Sequence, residues 1–305
     1  MKKFSGWVSL FAVCALLAAT FAGCSTHEYA FTSPSIVIDA AMLSGYIGAE
    51  NVVIVDMQEP EAYASAHLEG AVNIPSSEIV INVPVPNMLT SSKKIENVMG
   101  EHGISNNCLV IAYDTDRMSA SRLLWTLFMY GFENVAVVSG GFDAIQAAGL
   151  PVTDKVPDIR PATFTAGEPS SEWCVDMARV REQVDTPSDG VILLDVRSEE
   201  EYLSEGKIPT AVMRDYLDNY REDGTLYSRD MTRIMYREDG IFPEDEIIIY
   251  CRSSFRAAPV FVQLYEAGYR NIKLYDGAFL EWTSFTDNPV EMPAGAVAPT
   301  PKDAS

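Results

Sequence analysis

Apolar residues in this chain fall into short continuous runs separated by stretches with helical spacing. Asn51-Val52-Val53-Ile54-Val55-Asp56, Cys108-Leu109-Val110-Ile111-Ala112-Tyr113 and Val135-Ala136-Val137-Val138 are dominated by aliphatic side chains. Short runs without polar alternation predict strands buried on both faces, as in a parallel sheet. Ser119 to Tyr130 reads as a helix. Alternating strand and helix patterns of this kind predict an α/β fold.

The same pattern occurs twice. Val52-Val53-Ile54-Val55-Asp56, with Tyr63 seven residues on, matches Val191-Ile192-Leu193-Leu194-Asp195, with Tyr202 seven on. An offset of 137 aligns Ile111-Ala112-Tyr113-Asp114 with Ile248-Ile249-Tyr250-Cys251, and Gly131-Phe132-Glu133-Asn134-Val135 with Gly268-Tyr269-Arg270-Asn271-Ile272. It also aligns Gly140-Gly141-Phe142 with Gly277-Ala278-Phe279. One offset held across these segments predicts a duplicated domain of about 120 residues. The copies are expected over 35–150 and 172–290, with a proline-rich linker at 151–171 and a disordered tail at 291–305. Each copy is expected to be a mostly parallel sheet of about five strands flanked by helices.

Composition narrows the function. The 305 residues are 48% hydrophobic, enough for two cores, and carry a net charge of −21. That field repels nucleic acid and anionic lipid surfaces. An anionic substrate would need a local cationic patch. The N-terminus reads as a processing signal over 1–23: Lys2 and Lys3 precede an apolar stretch that is short for a membrane span. Its end, Phe21-Ala22-Gly23-Cys24, resembles the bacterial lipobox. That resemblance implies lipidation of Cys24, a tether over 24–34 and an extracytoplasmic, lipid-anchored protein. Ser25 in place of Asp favours the outer membrane if the cell is Gram-negative.

Of the five cysteines, Cys14 lies in the signal and Cys24 is the anchor, leaving Cys108, Cys174 and Cys251. Three thiols cannot form a disulfide framework for two domains. With no Cys-x-x-Cys pair and only His27, His67 and His102, a zinc site is not expected. Cys108 lies in an apolar strand and Cys174 opens an amphipathic segment, both ordinary positions for structural thiols. Cys251 differs. It follows the strand Glu246 to Tyr250 and precedes the helical run Ala257 to Gly268. The carboxyl end of a parallel strand is where α/β sheets bind ligands. Strand-to-helix loop amides form an anion-binding concavity there. Together with Arg252 and Arg256 they favour thiolate over thiol, making Cys251 the candidate nucleophile. Asp114 stands at its place in the first copy, which implies one working copy and one scaffold copy.

At this point the chain resembles the tandem rhodaneses, sulfurtransferases of the thiosulfate and mercaptopyruvate type. The segments that carry the likeness are Asp195-Val196-Arg197, Glu201-Tyr202, Gly206-Lys207-Ile208-Pro209-Thr210-Ala211, the loop Cys251-Arg252-Ser253-Ser254-Phe255-Arg256, and Tyr275 to Trp282. In the first half Tyr113-Asp114-Thr115-Asp116 and Arg122-Leu123-Leu124-Trp125 resemble the silent N-terminal domain of that family. The resemblance implies sulfur transfer through a Cys251 persulfide. The donor would be thiosulfate or mercaptopyruvate, the acceptor cyanide or a thiol, and no metal or organic cofactor would be needed. It implies a substrate-binding loop of Arg252, Ser253, Ser254, Phe255 and Arg256, with Arg252 suited to a dianionic sulfonate. Arg197 is either a wall residue or the holder of its own loop through a carboxylate. Ser254, Lys207 and Thr210 depart from the family's Gly, His or Arg, and Gly.

Two other chemistries fit less well. A phosphatase or arsenate reductase on this fold needs Cys-x5-Arg, whereas Ala257 is the sixth residue after Cys251 and Arg256 the fifth. A cysteine protease needs a histidine base, and the second copy has no histidine. A carrier that holds a persulfide, or senses sulfur without turnover, would keep the same cysteine and stays open.

Overall fold

The structure, a computed structural model, describes residues 35–293. The signal segment 1–23, Cys24, the tether 24–34 and the end of the tail lie outside the described residues.

The apolar runs become the centres of two five-stranded sheets. In the first copy these are β1 (Val37–Asp39), β2 (Val52–Asp56), β3 (Val72–Asn73), β4 (Leu109–Tyr113) and β5 (Val135–Ser139), in spatial order β1-β5-β4-β2-β3. In the second they are β6 (Cys174–Val175), β7 (Val191–Asp195), β8 (Val212–Met213), β9 (Glu246–Tyr250) and β10 (Ile272–Tyr275), in the equivalent order β6-β10-β9-β7-β8. Every pairing within these two sheets is parallel. Parallel sheets are covered on both faces. The run Ile247-Ile248-Ile249-Tyr250 is accordingly fully buried.

This order creates a switch point. The chain leaves β7 towards β8 on one side and leaves β9 towards β10 on the other, so a crevice opens at the carboxyl ends of β7 and β9. Cys251 follows β9 at that crevice. Asp195, the last residue of β7, pairs in register with Tyr250 beside it.

The helices are α1 (Pro60–Ser65), α2 (Ser92–Glu101), α3 (Ser119–Met129), α4 (Gly141–Ala147), α5 (Met177–Asp185), α6 (Glu199–Glu205), α7 (Arg229–Glu238), α8 (Ala257–Glu266) and α9 (Ala278–Ser284). The two that begin at the equivalent loops, α3 and α8, differ from the rest. All of α3 is buried, as is α8 from Ala257 to Leu264. A helix apolar on every side needs neighbours on every side, and each finds them in the other copy. Phe128 meets Phe261 edge-on at 6.2 Å and Tyr265 at 5.2 Å, while Trp173 meets Phe261 at 5.7 Å. Trp125 Nε1 donates to the Trp173 carbonyl at 3.0 Å. The two copies therefore share one core across their boundary.

The segment read as a linker is bound to the first copy. Val152–Thr153 pairs antiparallel with His67–Leu68. Further on, the amides of Ala162, Gly167 and Ser170 donate to the carbonyls of Gly100, Tyr130 and Met129 at 2.8, 2.9 and 2.8 Å. Phe164 is buried against Phe132. An extended, proline-punctuated chain satisfies its remaining amides on exposed carbonyl ends, which is why it has little periodicity and yet is fixed. At the other end, Lys207 and Glu291 form an antiparallel bridge, and Val290, Glu291 and Met292 crowd Gly206. The second copy thus extends past residue 290.

Truncating the shared core tests this architecture. Phe261→Ala is expected to lower unfolding stability by about 3–5 kcal/mol, the usual cost of removing a fully buried phenylalanine. Urea denaturation checks it, and both copies are expected to unfold in one shifted transition.

Candidate active site at the Cys251 loop

The loop from Cys251 to Arg256 turns the chain from β9 into α8. Cys251 is 1% exposed. The Phe279 and Leu280 amides donate to the Cys251 and Arg252 carbonyls at 3.0 and 3.1 Å. The carbonyls are thereby tied to the start of α9. A helix start leaves its first amides without intrahelical acceptors, and α8 begins inside the protein at Ala257.

The first copy shows what such amides hold. Asp114 occupies the Cys251 position, and its carboxylate accepts from the amides of Arg117 at 3.1 Å and Ala120 at 2.9 Å. Those residues align with Ser254 and Ala257. The backbones agree as well: Arg117 has φ 61° and Ser254 φ 72°, and Gly141 and Ala278 have φ 56° and 55°. Phe142 N donates to the Asp114 carbonyl at 2.8 Å, as Phe279 N does to that of Cys251. Two loops of the same shape thus begin with different side chains, a carboxylate that accepts two loop amides in one and a thiol in the other.

The arginines expected to supply free positive charge are both paired. Arg252 Nη1 donates to the two Glu205 oxygens at 2.6 and 2.5 Å. Arg256 donates to Glu201 at 2.5 and 2.7 Å. Both glutamates lie on α6, which starts with a capping box: the Ser198 hydroxyl accepts from Glu201 N, and Glu201 accepts from Ser198 N. Burial pushes the Glu201 carboxyl up, but its bonds to Arg256 and Ser198 outweigh this and hold it down at about 2. Burial likewise opposes the Arg256 charge, and Glu201 followed by the nearby Cys251 sulfur raises it further above its ordinary range.

Arg197 lies beneath the wall rather than on it. It is fully buried, bonds Asp195 at 2.6 Å and the Gly206 carbonyl at 2.7 Å, and stacks over Phe279 at 3.7 Å. Holding its own loop is the role the geometry favours. The remaining loop residues face the first copy. Ser253 Oγ accepts from Asn87 Nδ2 at 2.9 Å, Ser254 Oγ accepts from Arg122 Nη1 at 3.0 Å, and Arg122 lies 5.7 Å from the Phe255 ring. Ser254, fully buried, takes the left-handed conformation that glycine adopts without cost.

Two other departures from the family pattern are local. Thr210 keeps a left-handed φ of 69° where Gly70 of the first copy has 83°. Lys207 donates to the Ala211 carbonyl at 2.7 Å and pairs with Glu291.

The family model for a rhodanese-like domain matches residues 39–148 and again residues 177–285. The chain belongs to the rhodanese family. A protein of Haloferax volcanii is 31% identical over 260 residues, covering 80% of this chain and 89% of that one. The thiosulfate sulfurtransferase of Corynebacterium glutamicum is 28% identical over 285 residues, 87% and 92% of the two chains. The crystal structure of YnjE, a protein of Escherichia coli, matches with a TM-score of 0.76 at 23% identity. That match covers 84% of this chain and 68% of YnjE, and it is a likeness of fold.

Within the rhodanese pair, the other thiols sit apart from the loop. Cys108 is buried, with its sulfur accepting from Ser105 N at 3.4 Å. Cys174 lies on the edge strand β6, and burial followed by Asp276 pushes its thiol up to about 12. The Cys174 environment disfavours a thiolate. Glu201, Glu205, Asn87, Arg122 and Asp276 were not singled out by sequence as site residues. Arg122, Glu201 and Asp276 lie in segments that carry the family resemblance, and Glu201 also completes the Ser198-x-x-Glu201 capping box.

Asp114 gives a pH test of the first cradle. Burial, and then Asp116, raise its carboxyl from 3.8 to about 7 against the two amide bonds. The folded state therefore holds a proton that the unfolded chain releases at lower pH, so stability falls as pH rises from about 4 to about 7. In thermal melts at pH 5 and pH 8 this loss is expected to shrink in Asp114→Ser. An equal loss in both proteins would refute the assignment.

Proposed function

We propose that this protein is a sulfurtransferase that moves sulfane sulfur through a persulfide on Cys251, from thiosulfate or a related donor to cyanide or a thiol. The observation that carries this reading is the matched pair of loops. The fold that seats a carboxylate at Asp114 seats a thiol at Cys251. Membership of the rhodanese family and the names of its relatives support the same reaction class.

In the first half-reaction the Cys251 thiolate attacks the outer sulfur of the donor. The donor's sulfur–sulfur bond breaks and sulfite leaves with the electron pair, so Cys251 carries a persulfide anion. In the second, the acceptor attacks the terminal sulfur and the Cys251 thiolate departs with the electron pair. Both half-reactions place negative charge at the loop, where fixed amide dipoles stabilise it without reorganising. The Arg252 guanidinium, 43% exposed at its side chain, is the group suited to meet the sulfonate end of thiosulfate. It must then share itself with Glu205 or exchange it.

Mass spectrometry of protein exposed to thiosulfate or mercaptopyruvate is expected to show the mass of one added sulfur on Cys251. Cys251→Ser is expected to abolish both the adduct and transfer to cyanide, whereas Asp114→Ala keeps most of the activity. Absence of the adduct with every donor would sink this function. A stable adduct with no turnover to any acceptor would indicate a carrier.

We also infer an extracytoplasmic protein held to a bacterial membrane by lipid on Cys24, on the strength of the Phe21-Ala22-Gly23-Cys24 sequence. Among the described residues no helix is long and apolar enough to cross a membrane. Cys24→Ser is expected to lose incorporation of radiolabelled palmitate in a bacterial host. Undiminished labelling would overturn the anchor.

A further inference from the structure

The first domain has no thiol at Asp114, yet its groups reach three consecutive residues of the Cys251 loop. Arg122, fully buried on α3, donates through Nη1 to Ser254 Oγ at 3.0 Å and to Asp276 Oδ1 at 2.8 Å. Its Nη2 donates to the Asn87 carbonyl at 2.8 Å. Asn87 in turn donates from its side-chain amide to Ser253 Oγ, and Leu89 N donates to Asp276 Oδ2 at 2.6 Å. Arg122 also lies against the rings of Trp125 and Phe255.

Asp276 opens the short turn into α9, whose amides at Phe279 and Leu280 hold the carbonyls of Cys251 and Arg252. The one guanidinium therefore grips the catalytic loop twice. It holds Ser254 directly and the turn behind Cys251 through Asp276.

A buried ion pair is a weak means of stabilising a fold, because an apolar pair of similar volume does as well or better. What a guanidinium supplies is direction, since its donors leave in fixed positions. Here they point at the loop residue with a left-handed backbone, Ser254 at φ 72°. A non-glycine residue keeps that conformation when its surroundings over-determine it. Releasing Ser254 would let the loop relax and turn its amides away from the sulfur.

We propose that Arg122 is a positioning residue for the Cys251 loop, so that the catalytic cradle of the second domain is completed by the first. This rests on Cys251 being the nucleophile. It goes further in giving the first domain a part in the chemistry.

Two variants of the full chain separate positioning from mere stability. Ser254→Ala removes one acceptor and leaves the Arg122–Asp276 pair intact. Arg122→Met combined with Asp276→Asn removes the pair without leaving a lone buried charge. Hydrogen exchange of peptides spanning residues 251–258 reads the loop directly. Single-turnover persulfide formation from thiosulfate gives the rate constant and the half-saturation separately.

Ser254→Ala is expected to lower the melting temperature by only a few degrees. Its loop exchange is expected to be about tenfold faster and its persulfide formation about tenfold slower, with half-saturation unchanged, the scale of one lost hydrogen bond to a charged group. The double variant is expected to move further in the same direction. Wild-type loop exchange and wild-type rate constants in both variants, with only the melting temperature lowered, would overturn the proposal. If the wild-type protein forms no persulfide at all, the proposed function fails, and the exchange measurement still decides whether Arg122 holds the loop.

Discussion

A helix that starts inside a protein leaves backbone amides with no carbonyl to bond. Water cannot reach them, so some other acceptor must be brought to them. Both copies of this fold face that constraint where α3 and α8 begin at the carboxyl ends of β4 and β9. The first copy meets it with its own chain, through the Asp114 carboxylate and the amides of Arg117 and Ala120. The second copy has no carboxylate at that position and carries the Cys251 thiol there. One backbone problem thus has a structural answer in one domain and a chemical opportunity in the other.

The charge around the second cradle is compensated rather than bare. Arg252, Arg256 and Arg197 face Glu205, Glu201 and Asp195, all at ion-pair distance. In a chain of net charge −21, unpaired guanidinium groups would find carboxylates in any case, and α6 provides them in fixed places. Glu201 caps its helix through Ser198 and also fixes Arg256. The local structure of α6 and the geometry of the site therefore rest on the same carboxylate.

The two domains are not independent modules. α3 and α8 are buried on all sides because each packs against the other's domain, and the aromatic cluster of Phe128, Trp173, Phe261 and Tyr265 fills the seam. That packing brings Arg122 to Ser254 and Asn87 to Ser253. The first domain is therefore bonded to the Cys251 loop, and its loss would expose the α8 face as well as free the loop.

The α/β class, the duplication, the strands at 52–56, 109–113, 135–139 and 246–250, and the strand-to-helix placement of Cys251 were all legible in the sequence. Each depends on residues near one another in the chain or repeated at one offset. What the sequence could not reveal are the partners of the loop arginines and serines. Arg252 meets Glu205 across 47 residues, and Arg122 meets Ser254 across 132. No local pattern records such pairs, because their proximity follows from how two helices, buried on every side, pack against each other. For the same reason Arg197 read equally well as wall or prop until its burial against Asp195 and Phe279 was seen. The sequence by itself determined the fold of each copy and the loop that carries Cys251, since backbone periodicity and loop composition are local. Only the tertiary structure decided how the loop arginines are paired and that the first domain grips the Cys251 loop of the second, because burial and distance are properties of the packed chain.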